Sequence, residues 1–166
     1  RGGFPRATRH GVSRVQQASL NVRRDVMPFR CFTAEQAPVP GTLAQPVRYP
    51  ACDWVGDDGT VDHRHPLNQF VCSWLTSDMA DVSRCDEELH VMVQIEDGTR
   101  QEWFADGDAF QVDLQIQDVQ FNPSHVGPED AAYWNQPEGR FTLAEVKALL
   151  RLWRDFLAES ARLNIP

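Results

Sequence analysis

The amino-acid sequence predicts an α+β fold: a three-stranded antiparallel meander over about 88–121, packed by two amphipathic helices at about 66–80 and 142–162. Three observations carry this expectation. Apolar residues recur at helical spacing in two separate stretches, and between those stretches they alternate with polar residues at period two. A sheet that is apolar on one face must then be covered by the helices beside it. Ahead of this body run an extended basic arm, 1–30, and a Pro-rich strap, 31–50, leaving 51–166 as the single α+β domain.

The arm holds seven arginines (Arg1, Arg6, Arg9, Arg14, Arg23, Arg24, Arg30) and one acid, Asp25, for a net of +6. Residues 31–166 hold nine cations against 23 acids, a net of −14, and the chain totals −8. Arginine-rich, acid-poor composition resembles an organellar transit segment, and position 1 is arginine rather than methionine. Together these give the expectation of a processed, mitochondrial chain. The strap carries Pro38, Pro40, Pro46 and Pro50, a density that forbids a helix and reads as an extended, polyproline-like connector. Its Phe29, Phe32, Val39, Leu43, Val47 and Tyr49 are the residues available to anchor it.

Within the body, Cys52 to Val55 and Thr60 to Asp62 flank Gly56-Asp57-Asp58-Gly59 and read as a small hairpin. Pro66 opens a helix from its first position, and Leu67, Phe70, Val71, Trp74 and Leu75 form its apolar stripe. From Glu88 the period changes to two. Leu89, Val91, Val93 and Ile95 alternate with His90, Met92, Gln94 and Glu96, Asp97-Gly98 turns the chain, and Thr99 to Phe104 returns. Phe110, Val112, Leu114 and Ile116 continue the alternation, which slips by one to Val119 and Phe121 and so predicts a bulge near Gln117-Asp118. Residues 122–140 read as a loop. Thr142 and Glu145 then make a capping box for a helix from Leu143 to about Arg162.

Several function classes are excluded or weakened. The longest apolar stretches are a few residues, too short to span a bilayer. An acidic body repels phosphate backbones, so nucleic acid is reachable only through the arm. The sequence contains no G-x-S-x-G, P-loop, G-x-G-x-x-G or H-E-x-x-H, so no recognised catalytic machinery is present and the protein reads as a non-enzyme. The acids around Gly56–Gly59 do not fit a calcium loop, because Trp54 and Gly56 would fall on ligand positions.

One ligand pattern remains. Cys52, His63, His65 and Cys72 give C-x10-H-x-H-x6-C, the only set from which a zinc site can be assembled; no other cofactor is expected. The remaining cysteines, Cys31 and Cys85, share no short spacing with these, so free thiols are expected. Five tryptophans, Trp54, Trp74, Trp103, Trp134 and Trp153, are the other excess; Trp74 and Trp153 sit on helix stripes, whereas Trp103 and the Tyr133-Trp134 pair fall in strand and loop contexts suited to a protein interface.

The leading reading is a non-catalytic interaction protein, an accessory or structural subunit of a larger assembly whose Arg-rich arm (Arg6, Arg9, Arg14, Arg23, Arg24) lies on a neighbour. The alternatives are a small acidic inhibitor of the immunity-protein kind, which masks a basic partner, and a zinc-binding protein.

Overall fold

The computed structural model describes residues 28–38 and 45–163. Arg6, Arg9, Arg14, Arg23 and Arg24 lie outside those residues, as do Val39 and Leu43 of the strap.

Strands β1 (Phe29–Gln36) and β2 (Val47–Trp54) pair antiparallel, from Phe29 opposite Trp54 to Gln36 opposite Val47. The Pro-rich strap is therefore a hairpin of its own rather than a polyproline connector. Its prolines allow this: Pro46 precedes β2, and a two-stranded ladder leaves each strand a free side on which the missing N–H of Pro50 costs nothing. The last residues of the arm range belong to the same ladder, with Arg30 paired to Asp53 at 2.9 Å. Phe29 packs on the core, while Val47 and Tyr49 are exposed. The small hairpin expected at 52–62 is displaced, because Cys52 to Trp54 pairs backward with β1 instead. Its turn survives, with Gly59 at φ 79° and Gly56 N donating to Thr60 O at 2.8 Å.

After Pro66 the chain winds six residues as a π-helix, Leu67–Cys72, and runs straight into α1 (Ser73–Asp78). The expected apolar face is buried through Leu67, Val71, Trp74 and Leu75. Asn68, also buried, fastens this segment to the strand before it. Its Oδ1 accepts from Trp54 N at 2.6 Å, and its Nδ2 donates to the Trp54 and Asp62 carbonyls at 2.9 and 2.8 Å.

The largest departure from the sequence expectation follows. Residues 88–96 are not the first strand of the meander; they belong to helix α2 (Val82–Glu96). Asp81 caps it by accepting from Arg84 N at 2.9 Å, and Gly98, at φ 78°, ends it. An Asp-Gly pair supplies a left-handed residue, which a hairpin turn and a helix C-terminus use equally well. The buried residues are Cys85, Glu88, Met92 and Ile95, spaced three and four apart, and Val93 of the apparent alternation is exposed.

The meander stands, beginning at Glu102 instead of 88. Strands β3 (Glu102–Asp106), β4 (Phe110–Gln115), β5 (Asp118–Pro123) and the short β6 (Arg140–Thr142) form one antiparallel sheet in chain order. Where a bulge was expected, the chain reverses through Ile116 and Gln117, setting Leu114 opposite Val119. The slip in apolar phase was the signature of a tight hairpin. Val112, Leu114, Val119 and Phe121 are buried on the inner face.

Helix α3 (Leu143–Arg162) forms as the sequence predicts, with Thr142 Oγ1 accepting from Glu145 N at 3.2 Å. Its stripe of Val146, Leu149, Leu150, Trp153 and Leu157 is buried against α2 and the sheet. Trp153 Nε1 donates to the Met79 carbonyl at 2.8 Å, and Lys147, the only lysine, is buried in an ion pair with Glu96 of α2. No helix among the described residues is long and apolar enough to cross a membrane.

Asp78, at the end of α1, joins the helical layer to the sheet. Its carboxylate accepts from Ala109 N at 3.0 Å and Phe110 N at 3.1 Å, and a Cβ on Gly107 would lie 2.5 Å from Oδ2. Charged hydrogen bonds of this kind contribute about 1.5–3 kcal/mol each, and their loss strands two backbone donors. Asp78→Ala is expected to lower unfolding free energy by about 2–4 kcal/mol, read as a fall in urea midpoint at unchanged m-value.

Candidate functional site

The inner face of the sheet is covered by helices, and its outer face is covered only in part. Alternation puts Gln120 and Asn122 of β5 on that face, yet both are buried. The loop 124–139 lies over them. Gln120 Nε2 donates to Gln136 O at 3.0 Å, Asn122 Oδ1 accepts from Asn135 N at 2.7 Å, and Asn122 Nδ2 reaches Asn135 Oδ1 at 3.2 Å. Asn135 takes a left-handed φ of 52°, which asparagine tolerates, and a Cβ on Gly139 would come within 2.6 Å of the Phe121 carbonyl. Loop residues Tyr133 and Trp134, singled out from sequence, separate here: Tyr133 is 62% exposed and Trp134 is half-buried.

The loop meets the β3–β4 half of the sheet only at its first residue, where Ser124 N donates to Ala109 O at 3.0 Å, Ser124 Oγ donates to Asp108 O at 2.7 Å and Gln111 Nε2 of β4 donates to Ser124 O at 3.5 Å. There Phe104, on β3, is 54% exposed, and Ile116 at the tip of the β4–β5 turn is 55% exposed. Phe104 stands opposite Asp113, and Glu102 opposite Gln115. Glu102, Trp103, Phe104 and Asp113 line an open recess of about 480 Å³. Burial raises the Asp113 carboxyl above its ordinary range, and repulsion from Glu102 and Asp118 adds to this while the nearby Gln115 amide offsets part of it. Among the described residues β3 is also an edge strand, with β4 on one side and no strand on the other. The sequence offered Trp103 as the interface aromatic of this strand; its neighbour Phe104 is the one that faces solvent. Alternation from buried Ala105 would have found it, because Trp103 and Ala105 share the inner face.

Trp103 turns toward α2 instead. Arg100 lies over its ring at 4.6 Å from the centroid, and the indole borders a second groove of about 320 Å³ with Arg84, Glu88, Val91 and Gln94. Glu88 is 1% exposed, and neither its Oε1 nor Trp103 Nε1 has a hydrogen-bond partner among the described residues. Burial raises the Glu88 carboxyl, the Arg84 guanidinium offsets part of this, Glu87 adds to it, and the facing indole N–H lowers it a little through a contact too long or too oblique to count as a bond. Reading 88–96 as a strand placed Glu88 at the start of that element and hid this residue. Helical spacing from Cys85 to Met92 exposes it.

The four residues of the zinc pattern are not brought together. His63 is exposed, whereas His65 stacks on Trp54 with ring centroids 6.1 Å apart and accepts from Leu67 N at 3.2 Å through Nδ1. Cys52 and Cys72 are buried beneath the β1–β2 hairpin, free of disulfides. Among the described residues no three His, Cys, Asp or Glu side chains converge in a geometry that holds a metal ion.

No protein-family model, curated protein or solved structure matches this chain.

The Glu88 arrangement has a signed pH consequence. A carboxyl raised in the folded state binds its proton more tightly there than when unfolded. Its contribution is therefore most favourable below its ordinary pKa and is lost as pH rises through the folded value. Glu88→Gln is expected to stabilise the protein at pH 7 relative to wild type, with the advantage shrinking toward pH 4, as measured by paired urea titrations.

Proposed function

We propose that the chain is a non-catalytic protein-binding protein whose body engages a basic partner through the open outer face of β3 and β4. The observation that carries this reading is the division of that face. The protein's own loop covers the β5 half, leaving Phe104 exposed beside Glu102 and Asp113. An exposed aromatic at the centre of a charged rim is the arrangement found at binding hot spots. An arginine or lysine entering the recess would meet two carboxylates and lay its stem on the Phe104 ring, and it would offset the Glu102 repulsion that adds to the rise burial gives Asp113. The free edge of β3 offers backbone donors and acceptors to an added strand.

The accessory-subunit form of this reading assigns the arginines of residues 1–27 to a neighbour in a larger, organellar assembly. The acidic-inhibitor form needs only the face. They separate by truncation, which must end at residue 27 because Phe29 and Arg30 belong to β1. Removing residues 1–27 dissociates a subunit from its assembly and leaves an inhibitor bound.

The tagged full chain, purified from its native source, is expected to retain a basic protein. Phe104→Ala should weaken that complex about tenfold or more, and Glu102→Lys with Asp113→Lys should abolish it, with circular dichroism unchanged. Association should slow as salt rises. Retention of the same partner at wild-type affinity by both variants would sink the assignment of this face.

A further inference from the structure

Three thiols from three elements meet beneath the β1–β2 hairpin, away from the acidic face. Cys31 of β1 stands directly opposite Cys52 of β2, so their side chains leave the same face of the ladder. Opposed residues of an antiparallel pair hold their Cβ atoms roughly 4.5–5.5 Å apart, adjacent to the roughly 3.5–4.5 Å that a disulfide spans. That face packs on the π-helical segment, where Cys52 Sγ lies 3.6 Å from the Cys72 carbonyl oxygen. All three are free thiols; Cys52 and Cys72 are buried and Cys31 is half-buried. Cys85 is apart from them, with its Sγ 3.7 Å from the Met79 carbonyl oxygen.

We propose that Cys31 and Cys52 are a cross-strand oxidation site, a dithiol that a low-molecular-weight disulfide converts to an intramolecular Cys31–Cys52 bond, with Cys72 remaining a thiol beneath it. Cys31 is the entry point because it alone of the three is partly accessible. Its thiolate attacks one sulfur of the small disulfide, forming a mixed disulfide and releasing one small thiolate. The Cys52 thiolate then attacks the Cys31 sulfur, forming the cross-strand bond and releasing the second. The two protein thiols are oxidised, the small disulfide is reduced, and the two thiol protons end on the two released thiols.

The bond would join two strands already in register, so it requires no change of partner. Burial, with Cys72 adding to it, pushes the Cys31 thiol up to about 12, and burial also raises Cys52. Only the thiolate attacks, so its fraction near neutrality grows about tenfold with each pH unit, and oxidation should accelerate accordingly between pH 7 and pH 9.

The test incubates the purified full chain with oxidised glutathione at pH 7, 8 and 9. The expected product is lighter by about 2 Da, for two hydrogens lost, and peptide mapping links residues 29–36 to 47–54. Free thiols should fall by two, with a rate rising about tenfold per pH unit. Cys52→Ala should stop at a glutathione adduct on Cys31, and Cys72→Ala should still close the bond; circular dichroism checks that each variant is folded. The proposal is overturned if the folded wild-type chain keeps all its thiols free while the urea-unfolded chain reacts. It is also overturned if the link found involves Cys72 or Cys85. Should a variant fail to fold, the wild-type peptide map decides by itself.

Discussion

The hydrogen bond from the Trp153 indole to the Met79 carbonyl is the tie on which the rest of the structure depends. Met79 marks the break between α1 and α2, where the backbone leaves the helix and its carbonyl is buried without an intrahelical partner. A buried carbonyl left unpaired costs about 1–3 kcal/mol, so the break is stable only where a donor reaches it. Trp153, on α3 and 74 residues further along the chain, provides the closer of two such donors, and the Cys85 thiol of α2 reaches the same oxygen at 3.7 Å. With the break fixed, α2 and α3 pack side by side, the Lys147–Glu96 pair bridges them, and together they cover the apolar face of the sheet. Asp78, one residue before the break, then reaches the turn between β3 and β4 and sets the sheet against the helices.

The exposed site is the residue of this construction. One sheet face is used up by helices, and the other is shared between β5, whose buried Gln120 and Asn122 hold the loop, and β3–β4, which the loop touches only through Ser124 at the β3–β4 turn and Gln111. Polar side chains thus do opposite things on two halves of one surface. On β5 amides are desolvated and satisfied by loop backbone. On β3 and β4 carboxylates repel one another beside an exposed ring, and a cationic partner would relieve that repulsion.

Much of the fold was legible in the sequence, and the errors share a cause. Helix α3 was readable because its cap, its first-turn acid and a long apolar stripe all agree. Segment 88–96 was misread because Leu89, Val91, Val93 and Ile95 alternate over a short stretch, which outweighed the Asp81 cap and the three-and-four spacing of Cys85, Glu88 and Met92. The strap and the turn at Ile116-Gln117 failed differently. In each the local conformation was extended or bent as expected, and the error lay in which segment paired with which. The site was legible to the same degree: β3 was marked by Trp103, but its solvent-facing ring is Phe104, and the buried carboxyl of Glu88 vanished with the misread helix.

The sequence by itself determined the α+β class, the two flanking helices, the presence of a meander and the separation of a basic arm from an acidic body. These follow from periodicity, caps and charge, which are properties of neighbours along the chain. Only the tertiary structure decided that Cys52 to Trp54 pairs backward onto Phe29 to Cys31, that Glu88 is buried against Trp103, and that half of the outer sheet face stays open. Each of these is a choice among distant partners of similar local fitness. It is settled by which arrangement buries the apolar stripes while leaving the fewest backbone groups unpaired, and no local window contains that comparison.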